Sequence, residues 1–116
     1  HPAERLGKQT AHGKVVRLPG SDIVTVVRAV LSLLPMDDFV DDPVRRMEVV
    51  DDPAAIPEVQ GLVQCEVDRA ASRALPMVPV ERFAFYEAER QAYAVIQTGD
   101  VRPYGCFLVR KGIIRP

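Results

Sequence analysis

Few side chains in this sequence have the types and spacing that do chemistry, and the densest group lies near the C-terminal end, in ERFAFYEAERQAYAVIQTGDVRPYGCFLVRKGII, residues 81–114. Arg82, at the start of an expected helix, carries five N–H donors in a planar fork that suits sugar hydroxyls as well as carboxylates. The Pro103-Tyr104-Gly105-Cys106 run adds a phenol and a stretch of backbone without a side chain, which a ligand can approach closely. The plainer alternative is a tyrosine packed on a sheet, an arginine in a surface ion pair and a glycine bulge. Residue types alone leave both open.

The remaining candidates are weaker. His12 has the imidazole that usually serves as general acid or base near neutral pH, but it sits in a Gly-flanked loop without an evident partner, as a solvated histidine would. The Asp37-Asp38, Asp41-Asp42 and Asp51-Asp52 pairs could suggest paired carboxylates or a cation site. Each falls at a turn, where aspartate bonds its own backbone, and their spacing matches no calcium loop. Glu66 lies at the edge of an apolar helical stripe, where a carboxylate must be paired or line a pocket. No Gly-rich phosphate loop, nucleophile elbow or metal-binding helix motif occurs.

Composition narrows the partners. The chain has 116 residues, 47% hydrophobic and 27% charged, as a single soluble globular domain would. Fifteen basic against sixteen acidic residues give a net charge of -1, so nucleic acid and anionic membranes are not expected partners. Cys65 and Cys106 form no C-x-x-C and are expected to be free thiols in a reducing, cytoplasmic compartment. No apolar run reaches the roughly 20 residues that span a bilayer, and HPAERLGKQTAHGK lacks the apolar core of a signal peptide. The absence of an initiating Met leads to the expectation that the natural start lies upstream of His1.

The elements that must position these residues follow from periodicity. Residues 1–13 read as irregular chain, and KVVRL (14–18) as a strand. PGSDIVTVVRAVLSLLP reads as a helix with Ser21 as N-cap and Pro35 as stop, and with Ile23, Val26, Val27, Val30, Leu31 and Leu34 on one face. RRMEVV (45–50) is a strand between Asp-Asp-Pro turns. A second helix is expected over about 57–74, striped by Val59, Leu62, Val63, Val67, Ala70 and Ala74, with Cys65 pointing away. LPMVPV reads as an extended link, 82–91 as a third helix bearing Phe83, Phe85 and Tyr86, and AYAVIQT and GCFLVRK as two further strands. Helices and strands interleave, which gives an α/β class with a sheet covered by helices.

The order Arg-Phe-x-Phe-Tyr-Glu, alternating strand, Thr-Gly-Asp, Tyr-Gly and a strand ending in Lys-Gly resembles the C-terminal signature of the L-fucose mutarotase and D-ribose pyranase family (RbsD/FucU). Upstream, KVVRLPGSDIVTVVRAVLSLLP is similar to that family's strand, Gly-containing turn and helix ending Leu-Pro. RRMEVV is similar to its Met-containing middle strand, and HPAERLG to the segment after its Asp-x-Asn. The similarity runs along essentially the whole chain, and Arg82, Phe83, Phe85 and Tyr86 match the fucose branch rather than the ribose branch.

The resemblance implies a three-layer α/β/α fold with a mixed central sheet, a single domain over 1–116. It implies interconversion of sugar anomers by acid–base ring opening and reclosure, without metal or cofactor, on L-fucose or a related monosaccharide. Arg82, Tyr104, Gly105 and Cys106 occupy the family's sugar-contacting positions. A ring-shaped homo-oligomer with the site near a subunit boundary is also implied, with Cys65 at a possible interface. The sequence departs from the family twice. The Gly-His-Gly-Asp type motif with the catalytic histidine, and the ligand Asp after it, precede His1, so the catalytic residues stay unassigned. Cys106 replaces the usual Asn, exchanging a donor-acceptor amide for a weak thiol. Three readings stand: a mutarotase whose N-terminal segment lies outside this chain, a sugar-binding relative without catalysis, and a structural ring-forming protein. The first is adopted, because loss of a sheet edge and a covering helix exceeds what a marginally stable domain tolerates.

Overall fold

The computed structural model describes residues 14–34, 36, 40–91 and 94–110. Over these, strands and helices interleave as β1 (Lys14–Leu18), α1 (Ile23–Leu33), β2 (Val44–Met47), α2 (Glu58–Ala71), β3 (Val78–Val80), α3 (Arg82–Arg90), β4 (Ala94–Thr98) and β5 (Phe107–Val109). His1, His12, Pro35, the Asp37-Asp38 pair and the tail beyond Arg110 lie outside the described residues.

β2 is the centre of a mixed three-stranded sheet in the order β3-β2-β5, parallel to β3 and antiparallel to β5. β1 and β4 form a parallel pair, Lys14 opposite Ala94 through Leu18 opposite Thr98. Parallel neighbours need a crossover rather than a hairpin, and α2 supplies it between β2 and β3. The Val78–Val80 segment, read from sequence as a link, is therefore a strand. Its proline is tolerated because β3 is an edge strand among the described residues, paired there on one side only.

α1 is rich in β-branched residues, IVTVVRAVLSL, which lose side-chain freedom in a helix. Its helicity rests on burial and on capping. The cap is Asp22, not Ser21: the Asp22 carboxylate accepts the Thr25 N–H at 2.8 Å, while Ser21 donates its own N–H to the Leu18 carbonyl in the preceding turn. Val27 packs with Val44 of β2, Val63 and Val67 of α2, and Met77 as the hydrophobic core, with Ile23, Leu31 and Phe107 against it. On α2 the valines are buried as expected, but Leu62 is 40% exposed and Ala70 and Ala74 are also exposed. Gln60 and Glu66 take up the rest of the buried face. Cys65 is exposed, as its angular position requires.

Two glycines carry opposite expectations. A Cβ at Gly61, on α2, meets nothing within 4 Å, whereas one at Gly99 would run into the Pro19 carbonyl. Gly61→Ala is expected to raise stability by about 1 kcal/mol through helix propensity. Gly99→Ala is expected to lower it by about 2 kcal/mol through overpacking. Urea unfolding of both variants checks the pair.

Candidate functional site

Glu81 starts α3 by accepting the Phe83 and Ala84 N–H groups on its carboxylate, both at 2.9 Å. That cap presents Arg82 as the first helical residue, exposed, with Tyr86 one turn on. The Arg82 Nε donates to the Tyr86 hydroxyl at 3.3 Å, and the guanidinium carbon lies 5.8 Å from the Tyr86 ring centroid. Among the described residues no other hydrogen bond engages the guanidinium, so its terminal N–H groups are available to a ligand. Tyr86, which the sequence marks only as part of an aromatic cluster, thus orients Arg82.

Tyr104 adopts a left-handed backbone, φ 62°, a conformation costing roughly 1 kcal/mol or more for a residue with a side chain. Two bonds hold it there. Its hydroxyl accepts the Val50 N–H at 3.3 Å, and its carbonyl accepts from the Gln60 amide at 3.2 Å. With the amide N–H occupying a lone pair, the phenolic proton remains free to donate. The Val50 N–H that holds the Tyr104 hydroxyl lies just beyond β2, and Arg82 follows β3, whose Val80 pairs with Met47 of β2. Arg82 and Tyr104, apart in sequence, therefore lie beyond the same end of the β2–β3 pair.

Gly105 lies between helix starts: a Cβ there would sit 3.7 Å from Val59 of α2 and 3.8 Å from Ile23 of α1, and 3.3 Å from the Arg102 carbonyl. Cys106 follows, half-buried, its thiol pushed up to about 11 by burial and by the charge of Glu89. It is a neutral thiol at physiological pH and no nucleophile.

Gln60 is marked by no motif, and its signal is only that a polar residue abuts the valine stripe. It is fully buried. Its amide donates to the Met47 carbonyl at 2.7 Å as well as to Tyr104, and its oxygen accepts from buried Arg46 at 3.1 Å. The Thr-Gly-Asp turn has an equally structural role. The Asp100 carboxylate accepts the Ile23 N–H at 3.1 Å, helping to cap α1, and the Arg102 side chain at 2.6 and 3.0 Å. The Arg102 bond, then the backbone N–H groups, hold the Asp100 carboxyl far below the usual carboxylate range.

Glu66 is structural rather than part of the site. It is buried between Arg28, at 2.9 Å, and Arg69, at 3.3 Å, and the Arg28 bond lowers its pKa. Asp42 joins Arg110 in a two-point pair at 3.0 and 3.1 Å, and Asp52 donates its backbone N–H to the Val49 carbonyl in a turn. A shallow hollow of about 270 Å³ is lined by Gln64, Asp68, Ala74, Leu75 and Pro76. Its polar groups are already committed to Leu75 and Met77 backbone, so it offers a ligand little to hydrogen-bond.

Comparison with known proteins matches residues 1–114 to the RbsD / FucU transport protein family. The chain belongs to that family. It is 31% identical over 112 residues to an L-fucose mutarotase of Histophilus somni, covering 97% of this chain and 74% of the relative. The crystal structure of protein Atu2016 superposes with a TM-score of 0.93 at 43% identity, over 99% of this chain and 76% of that one. A fucose mutarotase from Streptococcus pneumoniae, solved in complex with L-fucose, gives a TM-score of 0.79 at 27% identity, over 88% and 72%. The α/β fold and the fucose branch of the family expected from the C-terminal signature are thereby borne out.

Gln60→Leu strips partners from the buried Met47 carbonyl, the partly buried Tyr104 carbonyl and Arg46, and is expected to cost about 2–3 kcal/mol, measured by urea unfolding. The pH dependence of Asp100 has a definite sign. A folded-state pKa held below the unfolded value stabilises at and above neutral pH, and the contribution disappears as pH falls through the carboxylate range toward the folded value. Asp100→Asn should therefore be less stable than wild type at neutral pH and lose less on acidification, as read from thermal melts across that range.

Proposed function

We propose that this protein is a sugar mutarotase that interconverts the α and β anomers of L-fucose or a related monosaccharide. The observation that carries the reading is the placement of Arg82, whose terminal N–H groups have no partner among the described residues, and of the Tyr104 hydroxyl beyond the same end of the β2–β3 pair. Relatives named L-fucose mutarotase support it.

The reaction suits such a site. A base takes the anomeric hydroxyl proton while an acid protonates the ring oxygen, the ring opens, and it recloses on the other face. These steps need no metal or cofactor. Arg82 and Tyr104 hold sugar hydroxyls, and the Gly105 and Cys106 backbone lines the site. In the same reading the protein acts in the cytoplasm as a ring-shaped homo-oligomer. No helix among the described residues is long and apolar enough to cross a membrane.

A binding-only reading is favoured by Cys106, whose neutral thiol is a poor proton carrier. NMR saturation transfer between the anomeric protons of L-fucose, with D-ribose and D-galactose alongside, separates the two. Faster exchange is expected with L-fucose; binding without acceleration would establish the binding-only reading. Arg82→Ala should weaken sugar affinity about tenfold or more while leaving the fold intact. Unchanged affinity by titration would remove Arg82 from the site.

A further inference from the structure

α3 carries a second polar group on the face that presents Arg82. Glu89 follows Arg82 by seven residues, about 20° round the helix and roughly 10 Å along it. Phe85, 1% exposed, and the half-buried Tyr86 lie between them. Glu89 is only 9% exposed, yet among the described residues no group hydrogen-bonds to its carboxyl, whose oxygens keep a small contact with solvent. The other glutamates around it have partners: Glu66 is held by Arg28 and Arg69, Glu81 caps α3, and Glu87 pairs with Arg90. An isolated carboxyl in such a place costs stability unless something compensates for the lost water. It lies close enough to Cys106 for its charge to act on the thiol, and a thiol is too weak a hydrogen-bond partner to compensate.

We propose that Glu89 is a further sugar-contacting residue of this site, its buried carboxyl hydrogen-bonding a hydroxyl or the ring oxygen of a pyranose held between Arg82, Tyr104 and Cys106. The inference rests on the sugar-site reading above and adds a residue to it. Three observations carry it: the low exposure of the side chain, the missing hydrogen-bond partner, and the position on the Arg82 stripe of the helix. Burial also raises the carboxyl pKa, which favours the neutral form, able both to donate and to accept. The Glu89 carboxyl supplies from α3 a hydrogen-bonding group that the weak Cys106 thiol does not.

The test is titration of L-fucose into the wild-type protein, Glu89→Gln and Glu89→Met, with thermal melting and light scattering on the same samples. Glu89→Met keeps length without hydrogen bonding, and is expected to lose about tenfold or more in affinity while melting at or above the wild-type temperature, since a desolvated carboxyl is gone. Glu89→Gln, which can donate and accept, should stay within about threefold of wild type. Wild-type affinity in Glu89→Met would overturn the inference and leave the sugar-site reading standing. A lowered melting temperature in Glu89→Met, restored by Glu89→Gln, would make the carboxyl a fold element and overturn it as well. So would a change of assembly mass without a change of affinity, which would assign Glu89 to a subunit contact. Failure of the wild-type protein to bind any of L-fucose, D-ribose and D-galactose would overturn both readings together.

Discussion

The buried amide of Gln60 is the interaction on which the candidate site depends. It reaches three parts of the chain at once: the Met47 carbonyl of β2, the Arg46 guanidinium beside it, and the Tyr104 carbonyl. A buried polar network whose members are all satisfied rigidifies its surroundings, whereas a broken one is expensive. Here the rigidity acts on a tyrosine whose left-handed backbone would relax without it. One turn further along the same face, Gln64 ties α2 to the chain that follows it, donating to the Leu75 carbonyl and accepting the Met77 N–H. The two glutamines set the position of α2, while its valines supply the burial.

A second constraint acts where β4 leaves the parallel pair. The Gly99 N–H donates to the Ser21 carbonyl at 2.9 Å, and the Pro19 carbonyl occupies the space a side chain would need. Asp100 then reaches the first N–H of α1 and clasps Arg102. The Thr-Gly-Asp motif therefore ties three chain segments together just before Tyr104. Its carboxylate chemistry belongs to the scaffold, which delivers the Pro-Tyr-Gly-Cys run to the helix starts of α1 and α2.

The site itself divides its tasks by element. α3 contributes charged and titratable groups from a rigid helix, and the 103–106 turn contributes a phenol and bare backbone. Arg82 is aligned by Tyr86 and Tyr104 by Gln60 and Val50, so both ligand-facing groups are oriented before any ligand arrives. Such preorganisation lowers the ordering cost of binding a small polar molecule. The high pKa of Cys106 keeps the thiol neutral, which makes it a wall rather than a reactive group.

Much of this molecule was legible in local sequence. Apolar periodicity located each described helix and most described strands, and the Arg-Phe-x-Phe-Tyr-Glu and Tyr-Gly signature indicated the family and Arg82 and Tyr104 as candidates. Local patterns could do so because helix faces, turns and motifs depend on residues a few positions apart. The pairing partners were not legible. Whether Glu66 was functional or structural turned on Arg28, 38 residues away, and the role of Gln60 turned on Tyr104, 44 residues away. Val78–Val80 became a strand only because β2 stood beside it, and Glu89 became an isolated buried carboxyl only because α3 packed that face inward. Periodicity states which side of an element is buried. Only the tertiary structure decides what it is buried against, because hydrogen bonding and desolvation depend on neighbours that the chain brings together from far apart.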